Sequence, residues 1–161
     1  MAQTTKQIVL LEIIAYLALL IAALIYAFCR EPNTYFAFLI QKLFQSNLYL
    51  YHSSHLSYSP YAWLIFSLPS GLWVMASTII GGFISSEKKI WSFIPVFLVI
   101  SIEILQFFGI TDGVFDWLDV GVSITGFLVA QKCKIDVVSP KNRWYFAYGI
   151  CILAVPLSDV M

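Results

Sequence analysis

Long apolar runs separated by short polar stretches dominate this chain. A helix that crosses the hydrocarbon core of a membrane needs roughly 20 mostly apolar residues. Five runs reach or approach that length, at residues 7–29, 61–84, 90–110, 116–130 and 144–160. The pattern predicts an all-α fold, a polytopic transmembrane bundle of about five spans that forms a single domain over residues 1–161.

The composition also favours lipid as the surroundings. The chain has 161 residues, of which 60% are apolar and 11% are charged, and its mean hydropathy is +0.85. Soluble domains carry about 25% charged residues, because their surface faces water. The first apolar run is too long for a signal peptide and lacks a small-residue cleavage site, so we expect it to stay as a span.

Charge and cysteine content exclude several classes of function. The net charge is zero and no basic patch stands out, which argues against a nucleic-acid partner. Cys29, Cys133 and Cys151 lie near or inside apolar runs with no CxxC pair, so we interpret them as small hydrophobic residues. No cofactor and no metal are expected from these features.

Basic residues in the connecting segments predict an orientation. With five spans, one side of the membrane collects seven of them: Lys6, Lys88, Lys89, Lys132, Lys134, Lys141 and Arg143. The other side has only Arg30 and Lys42. Because basic loops stay in the cytoplasm, the N-terminus is predicted inside and the C-terminus outside.

The long outer loop carries its own pattern. Residues 34–45 place aromatic and aliphatic side chains around much of a helix, which predicts either an interfacial helix or a loop packed over the bundle. His52 and His55 follow in a tyrosine-rich stretch, and we interpret them as interface residues, with a metal ligand or a general base as the alternative.

Two carboxylates fall within predicted spans, where a charge needs a partner, water or a function. Glu12 is close to the cytoplasmic end, so we expect it to snorkel or to pair with a loop lysine such as Lys88. Glu103 lies about two turns from the outer end of the third span, with Gln106 on the same face. We expect Glu103 to form either a functional site or a lock between helices.

The fourth span begins with a polar and small-residue stripe, consisting of Asp116, Asp119, Ser123, Gly126 and Ala130. Such a stripe lets a neighbouring helix approach closely. The glycines around 109–113 allow a tight turn, so the hairpin is expected to bring Glu103 and Gln106 near Asp119. Asp116 is interpreted as the cap of its helix.

Prolines interrupt two spans. Pro69, next to Gly71, and Pro95 are predicted to kink the second and third helices and to open space in the outer half of the bundle. The alternative is that the backbone freed at these prolines contacts a ligand.

The residues Glu103-Ile-Leu-Gln106 and Asp116-Trp-Leu-Asp119-Val-Gly-Val-Ser123-Ile-Thr-Gly126 resemble the signature of VanZ-like proteins, a family of small polytopic bacterial membrane proteins. In that signature, Glu and Gln stand three residues apart near a helix end, and an Asp opens the next helix, followed by Asn and Gly. Ser123 stands where the asparagine is expected, and the family's loop arginine is absent. The resemblance implies an envelope role in a bacterial cytoplasmic membrane, without a defined reaction.

We therefore expect an outward-facing polar cluster, made of Glu103, Gln106, Asp116, Asp119 and Ser123, to bind a lipid, a lipid-linked precursor or a partner helix. One alternative is a membrane-embedded hydrolase or transferase that uses these carboxylates with a divalent cation. Further alternatives are a small subunit of a larger membrane complex, a homo-oligomer, and a proton path through Glu12 and Glu103. Membrane lipids are expected partners in every case.

Overall fold

The computed structural model describes residues 2–29, 66–84, 90–111, 114–133 and 142–159. This part of the chain contains five helices and no strands: α1 (Ala2–Cys29), α2 (Leu68–Ile84), α3 (Ile90–Phe107), α4 (Trp117–Lys132) and α5 (Asn142–Asp159). The all-α prediction is confirmed, and each helix matches one predicted apolar run. The proposed interfacial helix at 34–45, together with His52 and His55, lies outside the described residues.

Helix α2 forms the centre of the bundle. It contacts each of the other four helices, and most of its residues are buried. Its side chains reach a core shared with α1 and α5, in which Ile80, Phe83 and Trp144 are almost fully enclosed. A second cluster joins Trp73 and Val74 of α2 to α3. Because α2 is enclosed by its neighbours, the surface of the bundle belongs mainly to the other helices.

Side-chain contacts sort the helix ends into two groups. Arg143 at the start of α5 pairs with Glu12 in the first half of α1, and Tyr145 donates to the carbonyl of Ile84 at the end of α2, at 3.4 Å. Tyr148 of α5 contacts Trp91 at the start of α3. These helix ends, together with the end of α4, form what we call the basic end, because it holds every basic residue of the described part: Lys6, Lys132 and Arg143.

The opposite end is called the acidic end and is defined by the carboxylates of Glu103, Asp116 and Asp119. There the last part of α3 meets the start of α4, and the start of α4 meets the start of α2. Successive helices therefore alternate in direction, as in an up-and-down bundle.

Two of the described helices are long and apolar enough to cross a membrane. They cover Lys6–Ile25, with mean hydropathy 2.9, and Ile90–Phe107, with mean hydropathy 2.0. Only 22% and 28% of their residues are buried within the protein, so both expose much apolar surface. Helix α2 is apolar but one residue shorter than the 18 of α3. The described residues therefore contain two helices that are both long and apolar enough to cross a membrane, where the sequence predicted about five.

The two prolines lie at opposite ends of the bundle. Pro69 is in the first turn of α2 at the acidic end, where a backbone N–H has no intrahelical acceptor in any case. The helical conformation is interrupted just before it, at Ser67, which forms a turn between Phe66 and Leu68, as the sequence predicted for this segment. Pro95 is inside α3, in its second turn and near the basic end, so it does not lie in the half of the bundle where opened space was predicted.

Helix α3 ends in a Schellman motif, the turn that closes many helices. Gly109 has φ 65°, a left-handed conformation that glycine adopts without steric cost. Its N–H donates to Gln106 O, and the N–H of Ile110 donates to Leu105 O, both at 2.9 Å. The predicted glycine turn is confirmed at Gly109, whereas Gly113 lies outside the described residues.

Candidate polar site at the acidic end

Asp116 starts α4 as its N-cap. The residue has an extended backbone (φ −130°, ψ 120°), and its Oδ1 accepts the N–H of Leu118 at 2.8 Å. The first N–H groups of a helix have no intrahelical acceptor, and an aspartate at this position supplies one. The interpretation of Asp116 as a cap is confirmed.

Glu103 joins the end of α3 to this cap. Its side chain is 5% exposed, and its Oε2 accepts the backbone N–H of Asp116 at 3.1 Å. A buried carboxylate needs hydrogen-bond donors, because burial removes the water that would otherwise solvate its charge. Glu103 and Asp116 therefore meet through a backbone amide, so both carboxylates lie at one junction between two helices.

The other members of the predicted cluster flank this junction. Gln106 follows Glu103 by one turn and is half-buried. Asp119 is in the first turn of α4 and is half-buried, where a negative charge is stabilised by the positive end of the helix dipole. Ser123 is completely buried. All five predicted residues thus belong to the acidic half of α3 and α4.

The small-residue stripe of α4 packs against α2. Ser123 donates from its Oγ to Ser70 Oγ at 3.4 Å. A Cβ added to Gly71 would lie 2.8 Å from the carbonyl oxygen of Val122, and one added to Gly126 would collide with the carbonyl of Gly71. The predicted close approach is confirmed, and the helix that approaches is α2.

Ser70 and Gly71 also belong to this site, although their segment was predicted first as a kink around Pro69 and second as backbone that contacts a ligand. A signal was present: Ser67, Ser70 and Gly71 are small residues at helical spacing, and they match the stripe that begins at Asp119. Two small-residue stripes of this kind predict a helix pair.

The charged side chains described at the acidic end are all carboxylates. Within the described residues, the acidic end has the carboxylates of Glu103, Asp116 and Asp119 and no basic side chain, while the basic side chains lie at the other end of the bundle. Carboxylate oxygens accept hydrogen bonds and attract cationic or hydroxyl groups, whereas they repel phosphate. In the same residues, no group of three or more His, Cys, Asp or Glu side chains is placed to hold a metal ion.

Glu12 is at the opposite end and has its own partners. Its Oε2 lies 2.5 Å from the guanidinium of Arg143, and its Oε1 accepts from Trp144 Nε1 at 3.3 Å. The expectation of a basic partner is confirmed, but that partner is Arg143, whereas Lys88 lies outside the described residues. Glu12 and Glu103 are thus held at separate ends by separate contacts.

No family model, curated protein or solved structure matches this chain. The VanZ-like resemblance therefore stays a hypothesis carried by residues 103–126 alone.

Proposed function

We propose that this chain is a multi-span membrane protein of the cell envelope whose acidic end faces outward and binds the headgroup of a lipid or a lipid-linked precursor. The observation that carries the proposal is the separation of charge along the bundle. The described basic side chains are at one end, and a junction of carboxylates is at the other.

Exposed apolar side chains support a lipid environment. Leu17 and Leu20 of α1 are 52% and 54% exposed, and Phe97 in the middle of α3 is 62% exposed. Fully burying such a side chain is worth about 1.5–3 kcal/mol, so leaving many of them in water is unfavourable. Lipid chains cover these faces without requiring a partner protein.

The same charge separation supports the orientation that we propose. Basic residues near span ends stay in the cytoplasm, which assigns the basic end to the inside and the acidic end to the outside. The VanZ-like resemblance agrees with an envelope location in a bacterial cytoplasmic membrane.

The carboxylates limit which chemical groups of a ligand are recognised at the acidic end. Glu103 and Asp119 offer acceptor oxygens, and the described part of this end offers no positive charge to a phosphate. We therefore propose that the hydroxyl or amine groups of a headgroup are recognised. A partner helix that presents such donors is the second candidate, supported by the tight small-residue contact between α2 and α4.

Native mass spectrometry of gently extracted protein tests this proposal. The wild type is compared with the Glu103→Gln/Asp119→Asn double variant and with Lys132→Gln, a control at the basic end. We expect a lipid mass on the wild type and the control that is lost from the double variant. A second protein in place of the lipid favours the partner helix, and identical spectra for all three proteins contradict the proposed site.

A further inference from the structure

The turn between α3 and α4 carries a cluster of large apolar side chains on the outside of the bundle. We call it the aromatic turn and define it as Phe107, Phe108, Ile110, Val114, Phe115 and Trp117. Val114 is 88% exposed and Trp117 is 76% exposed. The rings form a connected series: the centroids of Phe107 and Phe115 are 5.5 Å apart, and those of Phe115 and Trp117 are 4.8 Å apart.

The aromatic turn continues an apolar face of α3. Phe97 and Ile104 are exposed on that helix, and Phe107 extends the exposed surface to its last residue at 65% exposure. A contiguous apolar patch of this kind on a protein surface marks contact with a membrane or another protein. The membrane or protein that covers the exposed side of α3 therefore also contacts the aromatic turn.

The length of α3 indicates which part of the membrane meets the turn. Eighteen residues rise about 27 Å, close to the hydrocarbon thickness of about 30 Å, so the end of a spanning α3 lies near the headgroups. Polar groups are at the same level, because Glu103 and the N-cap Asp116 flank the turn. Tryptophan is enriched in the interfacial layer of a bilayer, because its ring is apolar and its N–H is polar, and Trp117 is the exposed tryptophan of the turn.

A partner helix fits this surface less well. A helix docks along a stripe of apolar residues spaced three or four apart over several turns. The aromatic turn is instead a short cluster around a chain reversal, with its exposed residues on both sides of Gly109. That shape suits a layer of lipid more than an elongated partner.

We propose that the aromatic turn inserts into the outer leaflet at the boundary between headgroups and acyl chains. It thereby holds the junction of Glu103 and Asp116 at headgroup depth. The inference rests on the proposed function, because it requires α3 to cross the membrane.

Tryptophan quenching by brominated lipids tests the proposal in phosphatidylcholine vesicles. One set of vesicles carries bromine near the headgroup end of the acyl chains and the other near the methyl end. The difference between the wild type and Trp117→Phe isolates the emission of Trp117. A Phe97→Trp/Trp117→Phe variant, compared with Trp117→Phe, supplies a reference in the middle of α3.

We expect shallow bromine to quench Trp117 at least twofold more strongly than deep bromine, and the reverse for the tryptophan at position 97. If position 97 is quenched by deep bromine but Trp117 by neither lipid, the inference is wrong while the membrane proposal stands. Stronger quenching of Trp117 by deep bromine than by shallow bromine, as expected for position 97, also contradicts the inference. If neither position is quenched, the membrane proposal itself fails.

Discussion

Tyr148 of α5 donates its hydroxyl to the backbone carbonyl of Trp91 in α3, and that carbonyl is the one that Pro95 leaves without an intrahelical donor. In a regular helix the N–H of residue 95 would bond to residue 91, but proline has no N–H. Gly81 of α2 permits the contact, because a Cβ there would lie 2.6 Å from Trp91 O. Three helices therefore meet around one carbonyl.

Replacing Tyr148 by Phe is expected to lower the free energy of unfolding by about 0.6 kcal/mol, the average for hydrogen bonds between membrane helices, and by no more than about 1.7 kcal/mol. The loss arises because the carbonyl of Trp91 has no replacement donor within α3. Reversible unfolding in mixed detergent micelles measures it.

A double-mutant cycle separates this bond from general packing. In a Pro95→Ala background the helix supplies an N–H to Trp91 O, so Tyr148→Phe is expected to have a smaller effect there. Tyr145→Phe is the matched control, because the Tyr145 hydroxyl makes only a 3.4 Å contact with Ile84 O. An equal loss in both backgrounds contradicts the assigned role of Pro95.

The glycine contact between α2 and α4 gives a second prediction. Gly126→Ala forces a methyl group against the carbonyl of Gly71, so we expect a loss of about 1–3 kcal/mol, as for overpacked cores. Gly121→Ala on the same helix meets nothing within 4 Å, and it is expected to be neutral or to stabilise by up to about 1 kcal/mol. Equal effects of the two changes on thermal unfolding would rule out the close approach.

The hydrophobic and polar patterns of the sequence predicted the helices, but they did not predict which helices pack against each other. The five apolar runs located the helices, and Asp116 was identified as a cap because capping depends only on local backbone groups. The partner of the α4 stripe was not predicted, because a stripe of small residues specifies a close neighbour without saying which helix provides it. The same limit applies to Glu12, whose partner Arg143 is 131 residues away and was chosen by packing.

Glu103 provides a test that separates the helix lock from ligand binding. Glu103→Leu removes the acceptor for the N–H of Asp116, and we expect a loss of about 1.5–3 kcal/mol, typical of hydrogen bonds to charged groups. Glu103→Gln keeps an acceptor oxygen, so its loss is expected to be smaller. Thermal unfolding of the two variants measures both effects.

Thermal unfolding and lipid retention together show whether Glu103 binds lipid, stabilises the junction or does both. A stable Glu103→Gln protein that no longer retains its lipid indicates a binding site as well as a lock. A Glu103→Gln protein that is stable and still binds lipid leaves only the lock. If Glu103→Leu is as stable as the wild type, the hydrogen bond with Asp116 contributes little to the junction.

The pairing of Glu12 with Arg143 leads to a prediction about topology. Because the pair holds the start of α5 beside the first half of α1, α5 runs from the basic end toward the acidic end. With the basic end in the cytoplasm, a reporter fused after Met161 is expected outside, and one fused after Lys132, at the end of α4, is expected inside. Alkaline phosphatase, active only outside, and green fluorescent protein, fluorescent only inside, should therefore give opposite results at the two positions. Phosphatase activity after Lys132 together with fluorescence after Met161 would invert the orientation, and the same location for both would mean that α5 does not cross the membrane.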